Sequence, residues 1–173
     1  MAMAEGELLL LRHGIAEERP LQPPADPAQA RRLDHARRLT ERGRQRSRQV
    51  LQHLVAAGLT GDRLLTSPLQ RALETAALAV EAGLAPSLEP APELAPDGDP
   101  LPLLAIPSRR LILVGHEPDL SALACRLIGA PPGALALRKA GVILLSLVPA
   151  ASALDTAPRA RLRLLLSPRS LLQ

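Results

Sequence analysis

The chain has 173 residues, of which 47% are hydrophobic and 22% are charged, and it contains no Phe, Tyr or Trp. Length and composition are those of a globular protein with a sizeable core, so we expect residues 1–173 to form a single domain. The net charge is only +4, and without aromatic rings to stack on bases, binding of single-stranded nucleic acid or RNA is not expected.

The first half of the chain alternates between strand and helix patterns. Residues 7–11 contain an unbroken run of four leucines after Glu7, which predicts a buried, central parallel strand. Residues 15–37 form a polar, proline-containing connection that is long for a compact domain. A helix is predicted to begin after Thr40, a residue suited to an N-cap, and to end near Gly58.

Residues 63–66 predict a second strand, and residues 68–82 a helix. Ser67 is interpreted as the N-cap of this helix, with Pro68 at the first helical position and Gln70 completing a capping box. A further strand is predicted at residues 87–89.

The second half continues the same alternation. Residues 100–106 predict one short helix, residues 111–114 a buried strand and residues 118–128 a helix. Strands are predicted at residues 142–148 and 161–166, and the alternation of Arg and Leu in the last is typical of an edge strand. Together these elements predict an α/β fold, a three-layer α/β/α sandwich with a mainly parallel central sheet.

Processing and membrane signals are lacking. We find neither a signal peptide nor an apolar run of membrane-spanning length, so we expect a cytoplasmic protein without membrane contact. The single cysteine, Cys125, excludes an internal disulfide and a cysteine-based metal site, and it is expected to pack as a small apolar residue. A monomer is favoured, although the sequence does not determine the oligomeric state.

Two histidines stand directly after predicted buried strands, His13 in Arg12-His13-Gly14 and His116 in Gly115-His116-Glu117. In open α/β sheets, ligands bind at the carboxyl ends of the strands. The two histidines are therefore expected to converge on one site. Guanidinium matches the geometry of phosphate, so the arginine before His13 indicates phosphoryl chemistry.

Further segments extend this pattern. Residues 12–16 (RHGIA), 37–43 (RRLTERG), 66–76 (TSPLQRALETA), 93–94 (EL) and 114–118 (VGHEP) resemble, in order and position, the histidine phosphatase superfamily. The spacing is most similar to that of the short SixA-type phosphohistidine phosphatases, and the likeness covers roughly residues 7–148.

The resemblance implies a role for each matching residue. His13 is the expected nucleophile, which would form a phosphohistidine intermediate. Arg12 and Arg71 are expected to bind phosphoryl oxygens, and His116 to hydrogen-bond the transferring group.

Two assignments in the predicted site leave alternatives open. Arg37 matches a further phosphate-binding arginine, but the adjacent Arg38 is the alternative. Glu93 lies where larger family members carry a general acid, and it is either a residue at the rim of the substrate site or a loop carboxylate facing water. SixA-type members depend less on such an acid, because imidazole leaves more easily than an alkoxide.

The residue types fit a reaction without cofactor or metal. Phosphoryl transfer needs positioning and neutralisation of charge on the phosphoryl oxygens, which three arginines and a histidine can supply. An imidazole is nucleophilic only when neutral, and neighbouring arginines are expected to lower the pKa of His13. No motif with metal-ligand spacing is present, and His35 and His53, which lie in no motif, are expected to face solvent.

The preferred substrate is phosphohistidine on a protein, such as a histidine phosphotransfer domain. A small phosphorylated metabolite is the alternative, and the question turns on whether the connections 15–37 and 85–107 leave the pocket open or cover it. A non-catalytic protein that binds phosphate or nucleic acid through the arginine-rich residues 31–48 is a third, less favoured hypothesis. Residues 15–34 are longer and residues 97–109 shorter than in the simplest family members, so substrate identity is less certain than the chemistry.

Overall fold

The computed structural model describes residues 6–148 and 159–172, which contain six strands and five α-helices. The strands are β1 (Glu7–Arg12), β2 (Arg63–Thr66), β3 (Glu89–Pro90), β4 (Arg110–Gly115), β5 (Val142–Val148) and β6 (Arg159–Leu166). The helices are α1 (Pro27–Ala36), α2 (Glu41–Ala56), α3 (Gln70–Glu81), α4 (Asp119–Ile128) and α5 (Pro168–Leu171). Two short 3-10 helices, Pro92–Leu94 and Leu101–Ala105, precede β4.

The strands form one mixed sheet in the order β3-β2-β4-β1-β5-β6. The first four strands of that order run parallel to one another, whereas β5 and β6 are antiparallel additions on one side. The mainly parallel sheet is therefore confirmed, and β6 lies at the edge as its alternating sequence predicted.

Helices cover both faces of the sheet. Successive side chains of a strand point to opposite faces and so pack against different helices. Leu8 and Leu10 of β1 pack with α4 and the 3-10 helices, whereas Leu9 and Leu11 pack with α2 and α3. These four leucines are at most 1% exposed, and full burial of each contributes about 1.5–3 kcal/mol. The three-layer prediction is confirmed, with a core built of aliphatic side chains.

The predicted polar connection at residues 15–37 contains the ten-residue helix α1, which the sequence analysis did not find. Asp26 caps this helix by accepting hydrogen bonds from the backbone of Ala28 and Gln29. None of the residues of α1 is buried, so the helix has no apolar stripe from which periodicity could have revealed it.

The predicted capping box at the start of α3 is wrong. The helix begins at Gln70 rather than Pro68, and its N-cap, Leu69, has no side chain that can cap. Gln70 donates instead to Glu74 within the helix, at 3.1 Å, and the hydroxyl of Ser67 accepts from the backbone N–H of Leu69 at 3.3 Å, before the helix begins.

The remaining elements differ only in detail from the prediction. Residues 87–89 reduce to the two-residue strand β3, and the short helix predicted at residues 100–106 is a 3-10 helix. The Cys125 thiol is unpaired and buried in α4, as expected. Within the described residues, no helix has the length and apolar character needed to cross a membrane.

Candidate active site

The register of the parallel sheet brings the two histidines together. Arg12 of β1 pairs with Gly115 of β4, so the next residues, His13 and His116, leave the sheet side by side. The backbone N–H of His13 donates to the Gly115 carbonyl at 3.1 Å. The centroids of the two rings are 5.1 Å apart and the ring planes are tilted by 57°, which confirms the predicted convergence at one edge of the sheet.

His13 is held as a neutral ring with a defined tautomer. Its Nδ1 lies 2.7 Å from the carbonyl oxygen of Gly14, and because a carbonyl only accepts, Nδ1 carries the proton and Nε2 keeps its lone pair. Burial, together with the positive charges of Arg71 and Arg12 and the neighbouring His116, lowers the pKa of His13 to about 3. The Nε2 atom is therefore a nucleophile at neutral pH.

His116 is fixed by a residue whose role the sequence analysis misassigned. Its Nε2 lies 2.8 Å from the hydroxyl of Ser67, and both side chains are buried. Burial and the charge of Arg71 lower the pKa of His116 to about 3. Its Nδ1 is buried and has no hydrogen-bond partner within the described residues, which leaves one polar ring atom for a ligand.

Arg71 lies in the first turn of α3 and is 3% exposed. Two of its five N–H donors are used by Asp34: Nη1 donates to the Asp34 carbonyl at 2.7 Å, and Nη2 to the Asp34 carboxylate at 3.2 Å. Its Nε is buried without a hydrogen-bond partner among the described residues. Arg71 is thus oriented from one side by Asp34 while a donor remains for an oxyanion.

Asp34, on α1, is the centre of an arginine cluster. Besides Arg71, its carboxylate pairs with the Nε of Arg37 at 3.2 Å and of Arg19 at 2.9 Å. Burial opposes ionisation of Asp34, but the hydrogen bond from Arg19 and the charges of Arg71 and Arg37 hold its pKa below the ordinary value. Arg38 is exposed, with its backbone N–H bound to Glu17, so it is Arg37 that the structure places in this cluster.

Arg12, directly before His13, is anchored by a backbone carbonyl. Its Nη1 donates to the carbonyl of Leu137 at 2.6 Å, and the backbone N–H of Leu137 donates in turn to the carboxylate of Glu117. The Nε of Arg12 is buried and has no partner among the described residues. Like Arg71, Arg12 keeps a donor for an anion.

Glu93 lies on the 3-10 helix Pro92–Leu94 and is exposed, and no hydrogen bond or ion pair of its side chain is found with the described residues. Beyond this helix, residues 95–97 face α1 across a cavity of about 640 Å³. The proline-rich residues 20–24 contribute to the same cavity. This cleft lies between the two connections, residues 15–37 and 85–107, that were expected to control access to the pocket.

Sequence reasoning missed three residues that support the site. Ser67 follows β2 at the edge where both histidines stand, a position that could have indicated a role in the site. Thr75 accepts from the backbone N–H of Gly14 at 3.1 Å and donates to the Arg71 carbonyl at 2.7 Å, which ties α3 to the nucleophile loop. Asp34 lies on the unpredicted helix α1 and carried no signal of its own.

No group of three or more His, Cys, Asp or Glu side chains placed to hold a metal ion is found among residues 6–148 and 159–172.

Comparisons with known proteins agree with this geometry. The model of the histidine phosphatase superfamily (branch 1) matches residues 8–95. An uncharacterized protein of Picosynechococcus sp. is 39% identical over 145 residues, which cover 79% of this chain and 82% of that protein.

Two solved structures share the fold. The protein histidine phosphatase SixA complexed with tungstate has a TM-score of 0.75 at 25% identity, with 95% of this chain and 99% of that chain covered. Mycobacterial glucosyl-3-phosphoglycerate phosphatase has a TM-score of 0.67 at 18% identity, with coverage of 95% and 99%. With its paired histidines and arginines on the same sheet edge, the chain belongs to the histidine phosphatase superfamily and is a SixA-type phosphatase.

Proposed function

We propose that this phosphatase hydrolyses phosphohistidine on a protein, without a metal, through a phosphohistidine intermediate on His13. The observation that carries the proposal is the hydrogen bond from His13 Nδ1 to the Gly14 carbonyl. It orients a ring that burial keeps neutral, and it leaves Nε2 as the attacking atom.

In the first step, Nε2 of His13 forms a bond to phosphorus while the bond from phosphorus to the leaving imidazole breaks. An imidazole that carries a proton on its other nitrogen leaves as a neutral molecule, so this step needs no carboxylic acid. Arg12 and Arg71 would neutralise the phosphoryl oxygens, and the unpartnered Nδ1 of His116 is a further contact. Arg37, next to Asp34, adds positive charge at the same place.

In the second step, water attacks phosphorus and the bond to Nε2 breaks, which releases inorganic phosphate and restores neutral His13. While phosphorylated, the His13 ring carries a positive charge. The Gly14 carbonyl stabilises that charge, because Nδ1–H donates a stronger hydrogen bond when its ring is cationic. One backbone contact thus serves both steps.

Access to the site supports a protein as the substrate. The cleft between residues 20–24, α1 and residues 95–97 reaches Asp34, the partner of Arg71, and is lined largely by exposed residues, as expected for a surface that receives a folded partner beside the site. We propose a histidine phosphotransfer domain in the cytoplasm as this partner. Glu93, exposed at the same edge of the sheet, would contact the partner rather than serve as an essential acid.

A small phosphorylated metabolite is the second candidate, and the same cleft, at about 640 Å³, has room for one. The likeness in fold to glucosyl-3-phosphoglycerate phosphatase agrees with it. The leaving group separates the two candidates, because an alkoxide needs a proton donor, whereas the carboxylate of Asp34, which binds Arg71, is held ionised.

The test compares p-nitrophenyl phosphate, a sugar monophosphate and a phosphohistidine protein as substrates, with and without EDTA. We expect the phosphohistidine protein to have the highest kcat/KM and EDTA to have no effect. His13→Ala should abolish turnover, whereas His53→Ala, at an exposed histidine on α2, should retain it. Loss of wild-type activity in EDTA, or retention of activity in His13→Ala, would overturn the mechanism, and a preference for the sugar monophosphate would overturn the substrate.

A further inference from the structure

Next to Arg12 the structure contains a second cavity, of about 590 Å³, which we call the Arg12 cavity. No carboxylate of residues 6–148 or 159–172 lines it. Five cationic side chains do, contributed by four separate parts of the chain: Arg12, Arg46, Arg138, Lys139 and Arg169.

Among the described residues, no ion pair is found for the five cations of the Arg12 cavity, although the charge of Glu117 acts on Arg12. On α2, Arg44 pairs with Glu74 at 2.9 Å and Arg48 with Glu81 at 3.9 Å, whereas Arg46 between them forms no ion pair there. The Nε atoms of Arg46 and Arg12 are both buried without hydrogen-bond partners among these residues. Buried guanidinium N–H groups are costly when unpaired, so an anionic ligand would satisfy donors that the described residues do not.

The cavity is tied to the nucleophile through the backbone. The N–H of Ala140, directly after Lys139, lies 3.1 Å from the carbonyl oxygens of both Arg12 and His13. Burial lowers the pKa of Arg12, the charge of Glu117 raises it, and the charge of Arg138 lowers it. The hydrogen bonds of Ala140 thus connect the cationic segment 138–139 to the backbone of the nucleophile His13.

We propose that the Arg12 cavity binds a second oxyanion group of the substrate while the first, the transferring phosphoryl group, lies on His13. The proposal rests on the proposed function for the placement of that first group. A volume of about 590 Å³ corresponds to the share of roughly 20 water molecules in the liquid, which accommodates a carboxylate or phosphate with part of its hydration. The oxyanion would be an acidic side chain near the phosphohistidine of a protein, or a second phosphate of a small molecule.

Two matched pairs of substrates distinguish these sources. The first pair is a phosphohistidine peptide with two flanking glutamates and the same peptide with glutamines. The second pair is fructose 1,6-bisphosphate and fructose 6-phosphate. The ratio of kcat/KM within each pair measures the preference for a second oxyanion. We expect a ratio of at least ten in one pair, equivalent to about 1.4 kcal/mol, and that pair identifies the source.

Variants that each remove one positive charge test whether the preference for a second oxyanion arises in the Arg12 cavity. Arg46→Gln and Lys139→Gln should each reduce the ratio at least threefold, whatever their effect on overall activity. Arg48→Gln is the matched control, since it removes the same charge from the same helix outside the cavity, and it should leave the ratio unchanged. Calorimetric binding of the unphosphorylated glutamate peptide gives a readout independent of catalysis, and Arg46→Gln should weaken it where the peptide is the preferred source.

The outcomes separate the two proposals. Hydrolysis of phosphohistidine with ratios near one in both pairs would overturn the second oxyanion site and leave the proposed function standing. Binding of the glutamate peptide that depends on Arg46, without hydrolysis of any phosphohistidine substrate, would support the site and overturn the function. A ratio that falls equally in Arg48→Gln would assign the effect to overall charge and overturn the site.

Discussion

Acidification from pH 7 to pH 5 is expected to lower the free energy of unfolding by about 4 kcal/mol. The cause is the burial of His13 and His116 as neutral rings, which lowers both pKa values to about 3 from 6.5. Between those values the unfolded chain binds more protons than the folded one. Stability therefore rises with pH across this window and is lost as the pH falls from 6.5 towards 3.

The magnitude follows from the two pKa values. At pH 5, protonation of one histidine with a pKa of 6.5 favours the unfolded state by about 2 kcal/mol, whereas the same histidine with a pKa near 3 is still neutral in the fold. At pH 7 the corresponding figure is about 0.2 kcal/mol, so each histidine loses close to 2 kcal/mol. Asp119, whose pKa burial raises, acts in the opposite sense, and a comparison of histidine variants removes its contribution.

Urea denaturation at pH 7, 6 and 5, in buffers free of phosphate, measures this loss. His13→Gln should reduce the drop between pH 7 and pH 5 by about half, to roughly 2 kcal/mol. His35→Gln, which removes an exposed histidine, should leave the drop at the wild-type value. A wild-type drop below about 1 kcal/mol, or an equal drop in His13→Gln, would refute the reasoning that these rings are neutral because they are buried.

Three substitutions test other contacts of the site. Ser67→Ala removes the hydroxyl on His116, a hydrogen bond of about 1 kcal/mol, and should lower kcat/KM about fivefold without changing the circular dichroism spectrum. Asp34→Asn removes the carboxylate from Arg71, which is 3% exposed, and should lower the free energy of unfolding by about 2 kcal/mol in urea. Gly43→Ala would place a Cβ 2.0 Å from the Ile15 carbonyl oxygen and should lower the thermal midpoint, at a cost of about 1–3 kcal/mol.

The convergence of the two histidines was predictable because each directly follows the carboxyl end of a strand. A buried run such as residues 111–114 marks a central strand, and the residue after it must emerge at the ligand-binding edge. His13 and His116 satisfy this condition independently, so their convergence follows from topology. Their spacing of 5.1 Å depends on register, which the sequence did not determine.

The contacts that orient these residues were not predictable in the same way. Ser67 at a helix start satisfies the local pattern of an N-cap, but its hydroxyl accepts from the N–H of Leu69, before the helix begins, and makes a tertiary hydrogen bond to His116. Asp34 is one of several acidic residues in a polar connection, and only the formation of α1 carries it to Arg71. At these positions, tertiary hydrogen bonds that local propensity does not predict determine the contacts, because a buried polar group needs a partner.

The two arginines at the phosphoryl site differ in how their charge is balanced. Arg71 faces the carboxylate of Asp34, which fixes its orientation and offsets one positive charge before any substrate binds. Arg12 donates to a neutral carbonyl, the charge of Glu117 raises its pKa, and it adjoins four further cations in a cavity that no carboxylate of the described residues lines. Charge that is already paired contributes little to attracting an anion, whereas unpaired charge in a cavity raises its local concentration. We therefore expect Arg71, held by Asp34, to orient the phosphoryl group, and the Arg12 cavity to attract the substrate.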